Sequence, residues 1–363
     1  MHIILDQEPI LKLGIGMTKL GIRENHNPDY IDRRANVIEK ATELGRILVD
    51  TSPIYGNGFS EDVTSKVISR LKQKLFISTK YYPQDKHRRC DVINSIKGSI
   101  SRLKIDKIDL LQIHWPNWLA DTEEICEGLI EAKQLGLIKN IGVCNFSDKE
   151  LSEIQKIKKL PIISNQIELN LLNINDYSKK RLDLVEILYG SLLQGRLTDV
   201  NHRTHLISWS KNYGLKPSVV TVAYLLKRSY PSICVAKVSS IDHLSDLIQA
   251  LELKLDPMLE DQLFSINTDT QYIDHSQIIL KGDQYRDPYL TFEDAINNKL
   301  DLFPSPLSLA VRTLKFDLVS PIKVFRTSDL YEVDNYDPFD QVKKFWAWRI
   351  AYPDAKIPIR VIS

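Results

Sequence analysis

Short apolar runs alternate with amphipathic segments along most of this chain. Between residues 11 and 236 there are eight such runs, and most are continuously apolar, without the in–out alternation of a strand that has one solvent face. Continuous runs of this length are typical of parallel strands that are buried on both faces. The predicted strands are 11–16, 46–50, 75–79, 108–113, 138–143, 163–168, 184–188 and 233–236.

The segments between these runs have the periodicity of helices that bury one face. The segment before residue 104 shows it most clearly, with Val92, Ile96, Ile100 and Leu103 on one side. Eight strand–helix units over roughly 250 residues predict an α/β protein that forms a (β/α)8 TIM barrel. A doubly wound sheet is the alternative, but such a sheet rarely needs eight regular units.

The pattern changes near residue 269. Residues 267–271 are polar and are typical of a linker, whereas 272–363 has its own apolar content and an aromatic cluster at 345–348. We therefore expect two domains, a barrel over 1–268 and a small C-terminal α+β domain over 269–363.

Composition narrows the range of functions. The net charge is +1, which gives no electrostatic footprint for nucleic acid or for an anionic membrane. No apolar stretch approaches the roughly 20 residues that span a bilayer, and the N-terminus lacks the features of a signal peptide. The four cysteines lack metal-ligand spacing and are expected to be reduced thiols, so we predict no metal site and a cytoplasmic protein. Composition does not indicate an oligomeric state.

Four ionisable residues follow the predicted strands. Asp50, Lys80 and His114 come at strand ends, and Tyr55 lies just beyond Asp50. Parallel α/β barrels build their active sites at these ends. A nearby ammonium stabilises a phenolate and lowers the tyrosine pKa from its usual value of about 10, and an aspartate can hold that ammonium in place. The set predicts a proton donor for carbonyl reduction, although each residue alone is equally typical of packing.

These residues carry a resemblance to a known family. Asp50-Thr-Ser-Pro-Ile-Tyr55-Gly-Asn-Gly58, Ser78-Thr-Lys80 and Gln112-Ile-His114-Trp-Pro116 resemble the signature of the aldo-keto reductases, over residues of about 8–268. Gly142-Val-Cys-Asn145-Phe and Asn165-Gln166-Ile-Glu168 extend the match. The resemblance implies a hairpin over 2–10 at the barrel bottom. It also implies NADPH-dependent reduction of a small-molecule aldehyde or ketone, with Tyr55 as general acid.

The same resemblance implies a set of cofactor contacts. Tyr189 matches the tyrosine that stacks on the nicotinamide ring, and Asn145 and Gln166 match the amides that bind its carboxamide. Cys144 stands where serine is usual, and a thiol is a weak donor.

At the adenosine end, Lys237 matches the lysine that pairs with the 2′-phosphate of NADPH, and Ser239 adds a hydroxyl. The family's usual arginine is His243 here, so we expect NADPH with weakened discrimination against NADH. The expected substrate walls are Tyr81, Trp115 and Trp118.

The C-terminal segment resembles a ParB-like domain. The basis is the order of a helix, the strands around Ser320-Pro321-Ile-Lys-Val324 and Tyr331-Glu-Val-Asp334, an aromatic helix and a final strand, Ile357-Pro-Ile-Arg-Val361. The glycine of that family's nucleotide-binding turn is missing from Asp340-Gln-Val-Lys-Lys344, so Lys343 and Lys344 are expected on a solvated helix face.

Two other functions remain open at this point. One is a catalytically weak protein that senses NADPH and regulates a partner, with the C-terminal domain as a partner- or nucleotide-binding module. The other is nucleic-acid binding through 272–363, against which the neutral charge and the missing glycine both count.

Overall fold

The computed structural model describes residues 1–18, 28–71, 74–174, 183–195, 197, 206–207, 210–211, 214–229, 231–255, 270–282, 287–334 and 338–362. The chain divides into two compact units, which are taken separately below. The first comprises Met1–Pro116 and Asp121–Ser265, and the second comprises Asn117–Ala120 and Ile266–Ser363.

The first unit is a closed barrel. Its strands in the described residues are β1 (His2–Leu5), β2 (Glu8–Gly16), β3 (Arg46–Asp50), β4 (Leu75–Tyr81), β5 (Ile108–Ile113), β6 (Ile138–Cys144), β7 (Ile162–Glu168), β8 (Val185–Tyr189) and β9 (Ser232–Ala236). β1 pairs antiparallel with β2, and the strands from β2 to β9 pair in parallel and close through β2 and β9. The predicted (β/α)8 barrel is confirmed. β2 begins at Glu8, before the predicted residue 11, because its first residues pair with β1 in the hairpin.

Helices follow most of the barrel strands. Those of the first unit, within the described residues, are α1 (Pro28–Ala41), α2 (Phe59–Leu71), α3 (Arg89–Leu103), α4 (Thr122–Gln134), α5 (Asp148–Lys156), α6 (Pro217–Arg228) and α7 (Ile241–Glu252). Val92, Ile96 and Leu103 of α3 are buried, as the periodicity predicts. Across both units, no described helix is both long enough and apolar enough to cross a membrane.

The barrel interior is layered because alternate residues of a strand point to the same side. Leu48, Phe76 and Leu110 are fully buried in one apolar cluster. Two residues further along the same three strands come Asp50, Ser78 and Gln112, which are also buried. An apolar layer therefore underlies a polar layer, and the polar layer forms the floor of the candidate site.

The second unit is an α+β fold, as predicted. Its described strands are β10 (Gln271–Ile273), β11 (Ile278–Ile279), β12 (Ile322–Thr327), β13 (Leu330–Val333) and β14 (Ile357–Val361). Its described helices are α8 (Phe292–Ile296), α9 (Pro306–Phe316) and α10 (Pro338–Ala351). The sheet order is β10-β14-β12-β13-β11, and the order of elements from α9 to β14 is the predicted one. Of the predicted linker, residues 267–269 lie outside the described part of the chain.

One prediction about this unit is wrong. Lys343 is buried, with 9% of its surface exposed, and its ammonium donates to the Phe303 carbonyl at 2.9 Å. Lys344 lies 2.6 Å from Asp340, so the two lysines do not form a solvated face. Lysine stems can lie along apolar surface while their ammonium groups reach polar partners, which the helical pattern alone does not reveal.

Candidate active site

The loop after β3 carries Tyr55 through a tight turn. Gly56, Asn57 and Gly58 all have positive φ angles of 60°, 54° and 91°. Glycine, and to a lesser degree asparagine, adopts this conformation at low cost, which explains the Gly-Asn-Gly sequence. The turn leads directly into α2 at Phe59.

Lys80 and Asp50 form a buried ion pair on adjacent strands. The lysine Nζ donates to the two carboxylate oxygens at 2.8 and 2.7 Å and to the Thr51 carbonyl at 2.9 Å. Their side chains are only 2% and 3% exposed. Burial alone would lower the pKa of Lys80, but the charge of Asp50 and the nearby Tyr55 raise that pKa above its usual value. The lysine therefore stays protonated.

Tyr55 lies between this ion pair and a histidine. The Lys80 Nζ is 5.1 Å from the centroid of the Tyr55 ring, and the His114 ring is 5.7 Å away, edge to face at 81°. Burial raises the pKa of Tyr55 above its usual value, and the charge of the Lys80 ammonium opposes that rise. The phenol therefore holds its proton at neutral pH beside a cation that stabilises its loss.

His114 is buried and neutral. It follows β5, is 7% exposed, and its Nδ1 lies 3.2 Å from the Ser52 hydroxyl. Burial and the nearby charge of Lys80 hold the pKa of His114 well below its usual range. The structure thus brings together all four ionisable residues predicted at the strand ends.

Within the described residues, Gln166 makes its hydrogen bonds to the barrel floor. Its Nε2 donates to Asp50 at 3.1 Å, and its Oε1 accepts from Gln112 at 2.9 Å and from the Cys144 thiol at 3.3 Å. At 3% exposure it belongs to the barrel floor. Gln112 lies on β5 two residues before His114, so its side chain faces the same side of the sheet, a signal in the sequence that places it in the floor.

The end of the barrel at β6 and β8 offers a face for a flat ring. Tyr189 ends β8, is half-buried, and donates its hydroxyl to the Asn145 Oδ1 at 2.8 Å. Asn145 follows β6 and is also half-buried. Burial raises the pKa of Cys144, so that residue is a neutral thiol inside the barrel. Asn145 also donates its Nδ2 to the His114 carbonyl at 3.4 Å, so its amide, like that of Gln166, is hydrogen-bonded within the barrel.

The turn after β9 combines a lysine, serine hydroxyls and the N-terminus of a helix. Lys237 is exposed, the Ser239 hydroxyl lies 3.1 Å from the His243 Nδ1, and Ser240 caps the N-terminus of α7. A helix N-terminus with a lysine and hydroxyl groups favours an anion. The buried Arg34 donates to the Val238 carbonyl inside this turn. These residues fit the adenosine phosphate end of the cofactor.

The three predicted substrate walls differ in their surroundings. Trp115 is half-buried directly after His114. Tyr81 is only 1% exposed, and its hydroxyl lies 2.7 Å from the His87 Nδ1, so its ring is part of the core. Trp118 belongs to the second unit, where its ring packs 4.8 Å from Phe316. Tyr82, with its ring 6.5 Å from that of His114, is an aromatic neighbour of the site.

Comparison with known proteins gives one consistent result for the barrel. The profile of the Aldo/keto reductase family matches residues 12–267. The aldo-keto reductase YhdN of Bacillus subtilis is 32% identical over 174 residues, which are 44% of this chain and 52% of that protein. The chain thus spans about half the length of this curated relative.

Two solved structures share the fold. A thermostable aldo-keto reductase in complex with the inhibitor epalrestat is 26% identical with a TM-score of 0.64, covering 73% of this chain and 99% of its own. The aldo-keto reductase of Klebsiella pneumoniae in complex with NADPH is 20% identical with a TM-score of 0.65, covering 72% and 92%. The family match ends at residue 267, so these comparisons lend no support to the ParB-like resemblance of the segment beyond it.

Proposed function

Because this chain belongs to the aldo/keto reductase family, we propose that it reduces an aldehyde or ketone to an alcohol with NADPH, using Tyr55 as the general acid. The observation that carries the proposal is the buried Lys80–Asp50 pair, whose ammonium lies 5.1 Å from the Tyr55 ring beside a neutral His114. This arrangement supplies a proton donor, a charge that stabilises its conjugate base, and a second donor for the same oxygen.

The positions of these side chains support a sequence of proton transfers. The Nδ1 of His114 lies 3.2 Å from the Ser52 hydroxyl. In the tautomer that accepts from this hydroxyl, the neutral His114 carries its proton on Nε2 and can donate it to a carbonyl oxygen. As negative charge develops on that oxygen, Tyr55 transfers its proton, and Lys80 stabilises the phenolate that remains. Donors placed in advance in a buried site are typically worth several kcal/mol in barrier, because they need no reorganisation during the reaction.

Tyr189 and Asn145 would hold the nicotinamide end of the cofactor, and Lys237, Ser239 and the N-terminus of α7 would hold the adenosine phosphate. When bound, NADPH supplies the hydride that the carbonyl carbon accepts. Lys237 is a single cation without the bidentate guanidinium of an arginine, since position 243 is histidine, and we therefore propose weak discrimination between NADPH and NADH.

A direct test uses purified full-length protein, NADPH and a panel of reactive aldehydes. We expect NADPH oxidation by the unmodified protein, and loss of turnover with retained NADPH binding in Tyr55→Phe. Full activity in that variant would refute the role of Tyr55. Tight NADPH binding with no turnover on any aldehyde would instead favour the NADPH-sensing function.

For the second unit we propose a ParB-like relationship without nucleotide hydrolysis. Its support is the order of elements from α9 to β14. Two features argue against a phosphate site. The glycine is missing, and Lys344 forms an ion pair with Asp340 at 2.6 Å.

A further inference from the structure

Gln112 connects the residues of the barrel floor. It lies on β5 with no exposed surface, and its Nε2 is 2.9 Å from the Ser78 hydroxyl, 2.9 Å from the Gln166 Oε1 and 3.5 Å from the Asp50 Oδ1. A reversed amide would place its oxygen against the acceptors of Asp50 and Gln166. The hydrogen-bonding partners therefore fix which end of the amide faces them.

Asp50 is held by more than its lysine. Its Oδ1 accepts from the Ser78 hydroxyl at 3.2 Å as well as from Gln112, and its Oδ2 accepts from Gln166 at 3.1 Å. Gln112 also donates to Gln166, so one side chain contacts both the carboxylate and the amide that supports it. Without Gln112, the Gln166 Oε1 would keep, among the donors of the described residues, only the weak thiol of Cys144.

We propose that Gln112 is a positioning residue that fixes Asp50 and Gln166 as one unit, so that the ammonium of Lys80 is held against Tyr55. It acts through these residues and does not itself meet the substrate. Its importance for turnover rests on the proposed carbonyl reduction. Around this unit, the titratable groups from the neighbouring elements of the described structure are Asp50 on β3, Tyr55 on the following loop, Lys80 on β4, His114 after β5 and Cys144 on β6.

Space for this arrangement comes from the neighbouring strand. Gly142 on β6 pairs with Gln112, and a Cβ there would lie 3.2 Å from the Gln112 Cγ and 2.4 Å from the Ser164 hydroxyl. The missing side chain leaves room for the amide to extend across the floor.

The test replaces Gln112 with Met, which keeps an unbranched chain of similar length and removes the hydrogen bonds. Because the variant loses the hydrogen bonds that support the charged Asp50, we expect kcat for aldehyde reduction to fall about 10- to 100-fold. The pH profile of kcat should shift as well. We also expect the 13C resonance of the Tyr55 Cζ, assigned by its loss in Tyr55→Phe, to move in the cofactor-free protein. That resonance reports the surroundings of the hydroxyl, which a purely structural role for Gln112 would not alter.

Asn140→Leu is the matched control. Asn140 is another buried amide, on β6, and it donates to the Asp109 carbonyl instead of to the site. We expect Asn140→Leu to lower stability without changing the pH profile of kcat or the Tyr55 resonance. If Gln112→Met keeps both the wild-type pH profile and the wild-type Tyr55 resonance, the proposal is overturned.

Gln112→Glu serves if the methionine variant does not fold. In this variant an unmoved Tyr55 resonance overturns the proposal, whereas support requires in addition that kcat fall, because a second carboxyl group beside Asp50 can move the resonance by its charge alone. If the unmodified protein reduces no carbonyl, the proposed function fails, whereas the resonance still decides the role of Gln112.

Discussion

Replacing Lys80 with Met separates the structural role of the ion pair from its chemical role. The change leaves Asp50 as a buried carboxylate without its counter-ion, and removing one partner of a buried pair typically costs about 3–5 kcal/mol. Asp50 still accepts hydrogen bonds from Ser78 and Gln166 at 3.2 and 3.1 Å. We therefore expect the free energy of unfolding to fall by about 3 kcal/mol, the lower end of this range. For a domain of barrel size this lowers Tm by roughly 6–12 °C.

The double variant Asp50→Asn/Lys80→Met removes both charges and should recover about half of that loss. Urea unfolding followed by circular dichroism measures both variants. Neither should reduce carbonyls at more than about 1% of the wild-type kcat, because Tyr55 loses the cation that stabilises its phenolate. A double variant as unstable as the single one, or a Lys80→Met protein with normal kcat, would refute this reasoning.

Three further predictions concern separate parts of the chain. Burial holds the pKa of His114 below its unfolded value of about 6.5, so the unfolded chain binds the extra proton first as pH falls. Stability should then drop by up to about 1.4 kcal/mol per pH unit below roughly pH 6.5, and His114→Asn should flatten this slope in urea titrations at several pH values. Glu61→Gln removes a buried carboxylate that accepts from Arg102 at 2.7 Å, and should lower the unfolding free energy by about 1–3 kcal/mol, whereas an unchanged urea midpoint would contradict that role. Phe316→Ala in the second unit should cost about 3–5 kcal/mol in thermal unfolding, against less than about 0.5 for the exposed Leu314→Ala on the same helix.

The sequence predicts the barrel and the four ionisable residues for the same physical reason. Strands buried on both faces are mostly apolar, so the runs are visible in the sequence and so are the ionisable residues near their ends. Asp50, Lys80 and His114 stand at such ends, and parallel strands bring those ends to one face of a barrel. Because β3, β4 and β5 pair in a regular register, the side chains of Asp50 and Gln112 meet although they are 62 positions apart in the chain.

The choice of hydrogen-bonding partner is what the sequence cannot predict. The amide of Gln166 donates to Asp50 and accepts from Gln112, two partners that the sequence pattern does not indicate. Trp118 follows His114 closely in sequence but packs on Phe316, 198 positions further along the chain. Both contacts are with residues that are distant in the sequence, and the local periodicity of a segment gives no information about them.

The polar floor shows how a core can contain this many polar groups. Burying an amide or a carboxylate is costly unless its hydrogen bonds are made. The floor makes those of Asp50, whereas the buried Oε1 of Gln112 has no partner in the described structure. Asp50 obtains its hydrogen bonds from β4, β5 and β7 together, through Ser78, Gln112 and Gln166. A change at one of these strands therefore alters the support of the carboxylate that holds Lys80, even where the altered residue never approaches Tyr55. This is why a buried glutamine two positions before His114 can affect the chemistry at the strand ends.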